Sequence, residues 1–172
     1  MDKKTNVLNS QKNTTNKFRF LVPLVIIIVA LSSWLLLKAN KEEISFGNSG
    51  ISHQKVKARS GKITLPVNQF NDGQAKYFKY KFPEKTIYFF VVKSSDGIIR
   101  AAFDACDVCY RAQKGYRQQN EVMVCNNCGQ TFPTNRINIE KGGCNPAPIE
   151  RTIVDSKVVI NVQDLYSGLK YF

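Results

Sequence analysis

The chain has 172 residues and carries 25 Lys and Arg against 13 Asp and Glu, a net charge of +12. That length bounds it to a single domain with its own core. With one histidine, no nucleophile–base pair and no phosphate-cradling glycine loop, the sequence points away from an enzyme and toward a binding or electron-transfer role.

Residues 1–19 are polar, rich in Asn, Thr and Lys, and read as a disordered cytoplasmic tail. Residues 20–38 contain FLVPLVIIIVALSSWLLL, an uncharged run of eighteen residues from Phe20 to Leu37, close to the lower limit for spanning a bilayer as one helix and read as a transmembrane anchor. Pro23 falls in its first turn, where the missing N–H costs little, and Trp34 falls near the far interface. Lys3, Lys4, Lys12, Lys17 and Arg19 precede the run, so the positive-inside rule places the N-terminus in the cytoplasm and the rest outside. The alternative is a cleaved signal peptide. Leu37-Lys38-Ala39 lacks the small residue expected three positions before a cut, which favours a retained single-pass membrane anchor.

Residues 39–54 form a tether, and residues 55–172 form the outer domain. Lysines scattered over a basic extracytoplasmic domain suit anionic lipid or an acidic partner and argue against nucleic acid. Lys62–Pro66 reads as a short strand. Gln74–Phe82 reads as a strand with one buried face, and Thr86–Lys93 as a central strand. Ser94-Ser95-Asp96-Gly97 is a turn, with Ile98–Phe103 returning as its hairpin partner. Glu121–Val124 is a strand leading into Cys125, and Pro133 is a start for a short helix. Ile149–Val154 and Lys157–Asn161 are further strands. Val162–Phe172 is a terminal helix with Asn161 at its N-cap. The fold class is mostly β (α+β), with a four-cysteine knuckle inserted after a hairpin.

The cysteines carry the chemistry. Cys106 and Cys109 form one C-x2-C pair and Cys125 and Cys128 another, separated by fifteen residues. This spacing suits a four-thiolate metal site, because each pair turns two sulfurs toward one ion. Cys144 follows in Gly142-Gly143-Cys144-Asn145-Pro146. It is either a fifth sulfur donor or a small buried hydrophobe. Disulfides are the competing reading outside the cytoplasm, but neighbours in a C-x2-C pair make small redox-active bridges, not long-loop staples. The alternatives to an iron-handling role are therefore a structural zinc-ribbon interaction module and a thiol–disulfide redox protein with two reversible C-x2-C couples. Four thiolates accept zinc, a single iron or an iron–sulfur cluster, and copper is a further alternative because thiolates bind Cu(I) well. Asp104 and Asp107 flank Cys106 and are read as turn formers, with support of the thiolate ligands or direct ligation of hard iron as the functional readings. Tyr110, Tyr116 and Phe132 are expected to wall the site from water. Gly115 and Gly129 supply the positive φ that tight metal loops need. His53, the only histidine, is expected to be exposed and without a role, with metal ligation as the other reading.

The run AFDACDVCY (Ala102–Tyr110), then Lys114-Gly115-Tyr116, VCNNCG (Val124–Gly129) and Gly142–Pro146, resembles the FtrD-like family of membrane iron–sulfur-containing proteins, from about Val56 to Phe172. The resemblance implies a bacterial membrane protein that works with an iron permease and periplasmic iron-binding partners. It implies Cys106, Cys109, Cys125, Cys128 and Cys144 as metal or cluster ligands. Longer relatives carry several membrane spans before this domain. With one span, this chain is expected to be an accessory and not a permease.

Overall fold

A run such as TIYFFVVK, apolar at nearly every position, needs cover on both faces of its strand, and the computed structural model supplies it. The structure describes residues 50–172, together with Ile26. The expected tail, the membrane anchor and most of the tether lie outside the described residues. Among the described residues no helix is long and apolar enough to cross a membrane.

The central sheet has the order β1-β3-β4-β5, built from β1 (Gln54–Lys55), β3 (Lys76–Lys81), β4 (Thr86–Lys93) and β5 (Ile99–Phe103). β1 runs parallel to β3, and the other pairs are antiparallel. Strand alternation sends Ile87, Phe89 and Val91 to one face of β4 and Phe90 and Val92 to the other. The first set joins Phe78, Ala101 and Phe103 in a core closed by a second sheet. That sheet has the order β2-β10-β9, from β2 (Lys62–Pro66), β9 (Thr152–Val154) and β10 (Lys157–Asn161). Its inward residues are Ile63 and Leu65 on β2 and Val158 and Ile160 on β10, in register Leu65↔Val158 and Ile63↔Ile160. The second set joins Ala102, Tyr116, Met123 and Ile137 in a separate core beneath a third sheet. That sheet, β6-β7-β8, comprises β6 (Tyr116–Gln119), β7 (Val122–Cys125) and β8 (Thr131–Pro133), and it carries the second cysteine pair.

The expected strands at Lys62–Pro66, Thr86–Lys93 and Lys157–Asn161 form as read. A 3-10 turn, Thr134–Arg136, follows Pro133. Two expectations need correction. Only Thr152–Val154 of the Ile149–Val154 run becomes a strand of the second sheet. Its beginning is drawn away to β5, where Phe103 N–H donates to Ala147 O (2.8 Å), Ile149 N–H donates to Ala101 O (3.1 Å) and Pro148 bridges Ala102. The terminal helix is α-helical only over Val162–Tyr166 and tightens to 3-10 over Ser167–Tyr171. Gly168 lies so close to the Phe103 ring that no Cβ fits there. Asn161 occupies the N-cap position, but its side chain bonds Asp164 (3.2 Å) and no backbone N–H.

The β4–β5 turn contains a paired charge. Arg100 is buried on β5, and its Nη1 and Nη2 donate to the Asp96 carboxylate at 2.8 and 2.7 Å. Its Nη1 also donates to Ser94 Oγ. The Arg100 hydrogen bond, then that of Ser94, holds the Asp96 carboxyl well below the usual carboxylate range. A depressed folded-state pKa contributes stability above the unfolded value, near pH 4, and loses it as pH falls further. Thermal melts between pH 7 and pH 3 are therefore expected to show an acid-side loss that Asp96→Asn makes shallower. An unchanged slope in the variant would remove this pair from the acid response.

Candidate metal centre

Three chain segments bring the cysteines together at one end of the central sheet. Cys106 stands three residues past the end of β5, and Cys109 follows in the turn before the 3-10 segment Tyr110–Ala112. The backbone N–H of Cys109 donates to Cys106 Sγ (3.2 Å), which fixes the first C-x2-C knuckle. Cys125 is the last residue of β7, opposite Tyr116. The turn to Cys128 closes through Gly129 N–H to Cys125 O (2.9 Å), with Gly129 at φ +76°. Asn126 ties the second knuckle to the segment that enters β6: its N–H donates to Gly115 O (3.0 Å) and its Nδ2 to Lys114 O (2.9 Å). Cys144 arrives because the chain after it, Ala147–Ile149, runs along β5. The Tyr116 hydroxyl donates to Cys144 O (2.6 Å) and holds that loop from the other side.

All five cysteines are free thiols in this one site. Their sulfurs fall into two trios, Cys106/Cys109/Cys144 and Cys109/Cys125/Cys128, each with all its sulfurs within 4.8 Å of one another. Cys109 belongs to both. Its Sγ lies 3.7 Å from that of Cys144 and accepts a hydrogen bond from Asn127 Nδ2 (3.4 Å). A tetrahedral ion with bonds of about 2.3 Å to sulfur sets its ligands about 3.8 Å apart. The all-sulfur donor set thus fits a thiolate-bound metal, and the Cys109–Cys144 separation matches two sulfurs on one ion.

Burial divides the thiols. Cys106 and Cys125 are buried, Cys109 and Cys144 half-buried, and Cys128 exposed. Burial pushes the Cys125 thiol up to about 12 and raises Cys144 as well. The backbone N–H of Gln130 lowers Cys128. Cation binding at the inner sulfurs therefore displaces protons, and Cys128 is the thiol most readily ionised among the three.

The neighbours expected to support the ligands divide in role. Asp104 is buried, and it touches no sulfur by hydrogen bond. It accepts from the Tyr116 backbone N–H (2.6 Å) and pairs with His53 Nε2 (3.0 Å). Burial raises its pKa, and the His53 bond opposes that rise. The expectation of an exposed His53 is corrected: its side chain is only 5% exposed. The Asp104 carboxylate and edge contacts to Tyr77 (5.6 Å) and Tyr88 (5.0 Å) hold the ring inside. Gly115, at φ +60°, leaves room for that carboxylate; a Cβ there would stand 2.5 Å from Asp104 Oδ2. Asp107 is exposed and accepts from the Tyr171 hydroxyl (2.7 Å). Tyr116 is buried and walls the sulfurs, with burial and then the Cys106 thiol raising its pKa. Phe132 packs on Tyr116 (6.1 Å) and Tyr110 on Tyr171 (6.0 Å). Sequence reasoning missed Asn126 and Asn127, although an Asn-Asn insert in a cysteine knuckle offers amides to both carbonyl and sulfur.

The model of the FtrD-like family, described as membrane iron–sulfur-containing proteins, matches residues 70–172. The chain belongs to the FtrD-like family. The match starts at Phe70, later than the Val56 expected from sequence, so β1 and β2 lie before it. No curated protein matches the chain. The FtrD-like region contains all five cysteines, whereas His53 lies ahead of it.

Proposed function

We propose that this FtrD-like chain is a membrane-anchored, extracytoplasmic accessory of an iron-uptake system that binds iron or an iron–sulfur cluster and passes electrons or metal to a membrane partner. Cys106, Cys109, Cys125, Cys128 and Cys144 are its ligands in this reading. The observation that carries it is the convergence of all five thiols on one site in a family described as iron–sulfur-containing. Thiolates bind iron, zinc and Cu(I) alike, so the donor type alone leaves copper and zinc as alternatives. Iron on thiolates would supply one-electron chemistry. The chain's own part is to hold the sulfurs, to exclude water with Tyr116 and Phe132, and to present Cys128 at the surface. An iron permease is the partner expected from the family resemblance.

A second reading is a structural zinc site that holds an interaction surface, since the 3.7 Å separation of the Cys109 and Cys144 sulfurs fits one zinc ion as well as one iron. Metal analysis and absorption spectroscopy on the full chain, purified without oxygen, separate the two. The expected result is iron with thiolate charge-transfer bands, and acid-labile sulfide then distinguishes a cluster from a single ion. Stoichiometric zinc without colour would overturn the electron-transfer reading.

A further inference from the structure

We propose that the centre binds two metal ions that share Cys109, one on Cys106, Cys109 and Cys144 and the other on Cys109, Cys125 and Cys128. This deepens the metal-binding reading and rests on it.

The paired C-x2-C spacing suggests four sulfurs around one ion. Such an ion needs its four ligands at mutual separations of about 3.8 Å. No four of the five sulfurs lie mutually within 4.8 Å; they meet that distance only in threes. Cys144 approaches Cys109 to 3.7 Å, a ligand-to-ligand spacing, and is held there by Tyr116 below and by the Ala147–Ile149 segment beside it. It is therefore built into the centre. Cys109 stands at the junction. It sits on the backbone turn that also bonds Cys106, and Asn127 of the other knuckle donates to its sulfur. A thiolate sulfur keeps lone pairs after binding one ion and can bind a second. Each ion then has three thiolates from the chain. The Cys109/Cys125/Cys128 ion lies on the side of exposed Cys128, and the other lies with buried Cys106.

Co(II) titration of the reduced, metal-free full chain tests this. Thiolate-to-cobalt absorption counts ions, and the high-spin Co(II) electron paramagnetic resonance signal reports whether they share a ligand. The expected result is saturation at two Co(II) per chain. The resonance signal should grow over the first equivalent and shrink over the second as the ions couple through Cys109 Sγ. Cys144→Ser should saturate at one. Saturation of the unaltered chain at one Co(II) would overturn the proposal and leave the metal-binding reading standing. Two ions with a resonance signal that grows throughout would overturn the sharing of Cys109. No uptake at all would overturn both readings.

Discussion

Asp104→Ala is expected to destabilise the metal-free chain by about 3 kcal/mol, the sum for two buried polar groups that lose an acceptor. Those groups are the Tyr116 N–H at 2.6 Å and His53 Nε2 at 3.0 Å. The carboxylate ties three distant pieces: the start of the domain at His53, the end of β5, and β6 at Tyr116. Its removal also frees the backbone of the residue whose hydroxyl holds Cys144 O. Asp104→Asn keeps the shape and one acceptor oxygen, so a loss of about 1 kcal/mol is expected, the net worth of one bond. Gly115→Ala should cost at least as much as Asp104→Asn. It places a methyl 2.5 Å from Asp104 Oδ2 and puts an L residue at φ +60°. Urea unfolding of the full chain in detergent, followed by near-ultraviolet circular dichroism, gives the order. If Asp104→Ala unfolds at the same urea concentration as the unaltered chain, this carboxylate is not the tie inferred from its contacts.

The His53–Asp104 pair shows where sequence reading stops. Cys106, Cys109, Cys125 and Cys128 were legible because a local spacing encodes them and each knuckle closes through its own backbone. Thr86–Lys93 was legible as central because its apolar run leaves no face for water. His53 and Asp104 are 51 residues apart, and nothing near either residue names the other. A histidine after a polar tether reads as exposed until a carboxylate and two tyrosines close on it. The same limit explains Ile149–Val154. Its composition suits a strand throughout, but whether β5 or β10 takes each part depends on long-range pairing. Within the centre, spacing identified pairs of sulfurs, whereas the sulfur common to both trios depends on how β5 and the β6–β7 hairpin approach each other.

That common sulfur carries the other large effect. A structural four-ligand zinc site binds with about 10–16 kcal/mol, so one thiolate is worth about 3 kcal/mol, or on the order of 100-fold in affinity. Cys125→Ser or Cys144→Ser removes a ligand from one trio only. Cys109→Ser removes a ligand from both, so no ion in the centre keeps its full set. It is expected to weaken every bound ion by on the order of 100-fold, while each of the other variants spares part of the metal. Competition of the zinc-loaded full chain against a chromophoric chelator measures this directly, with circular dichroism of the metal-free variants as the check on folding. Cys128 sets the scale at the other extreme: it is exposed and belongs to one trio, so Cys128→Ser should leave the Cys106/Cys109/Cys144 ion in place. A Cys109→Ser chain that yields zinc to the chelator no more readily than Cys128→Ser would mean that the sulfur between the trios is not a ligand and that the other sulfurs hold the metal.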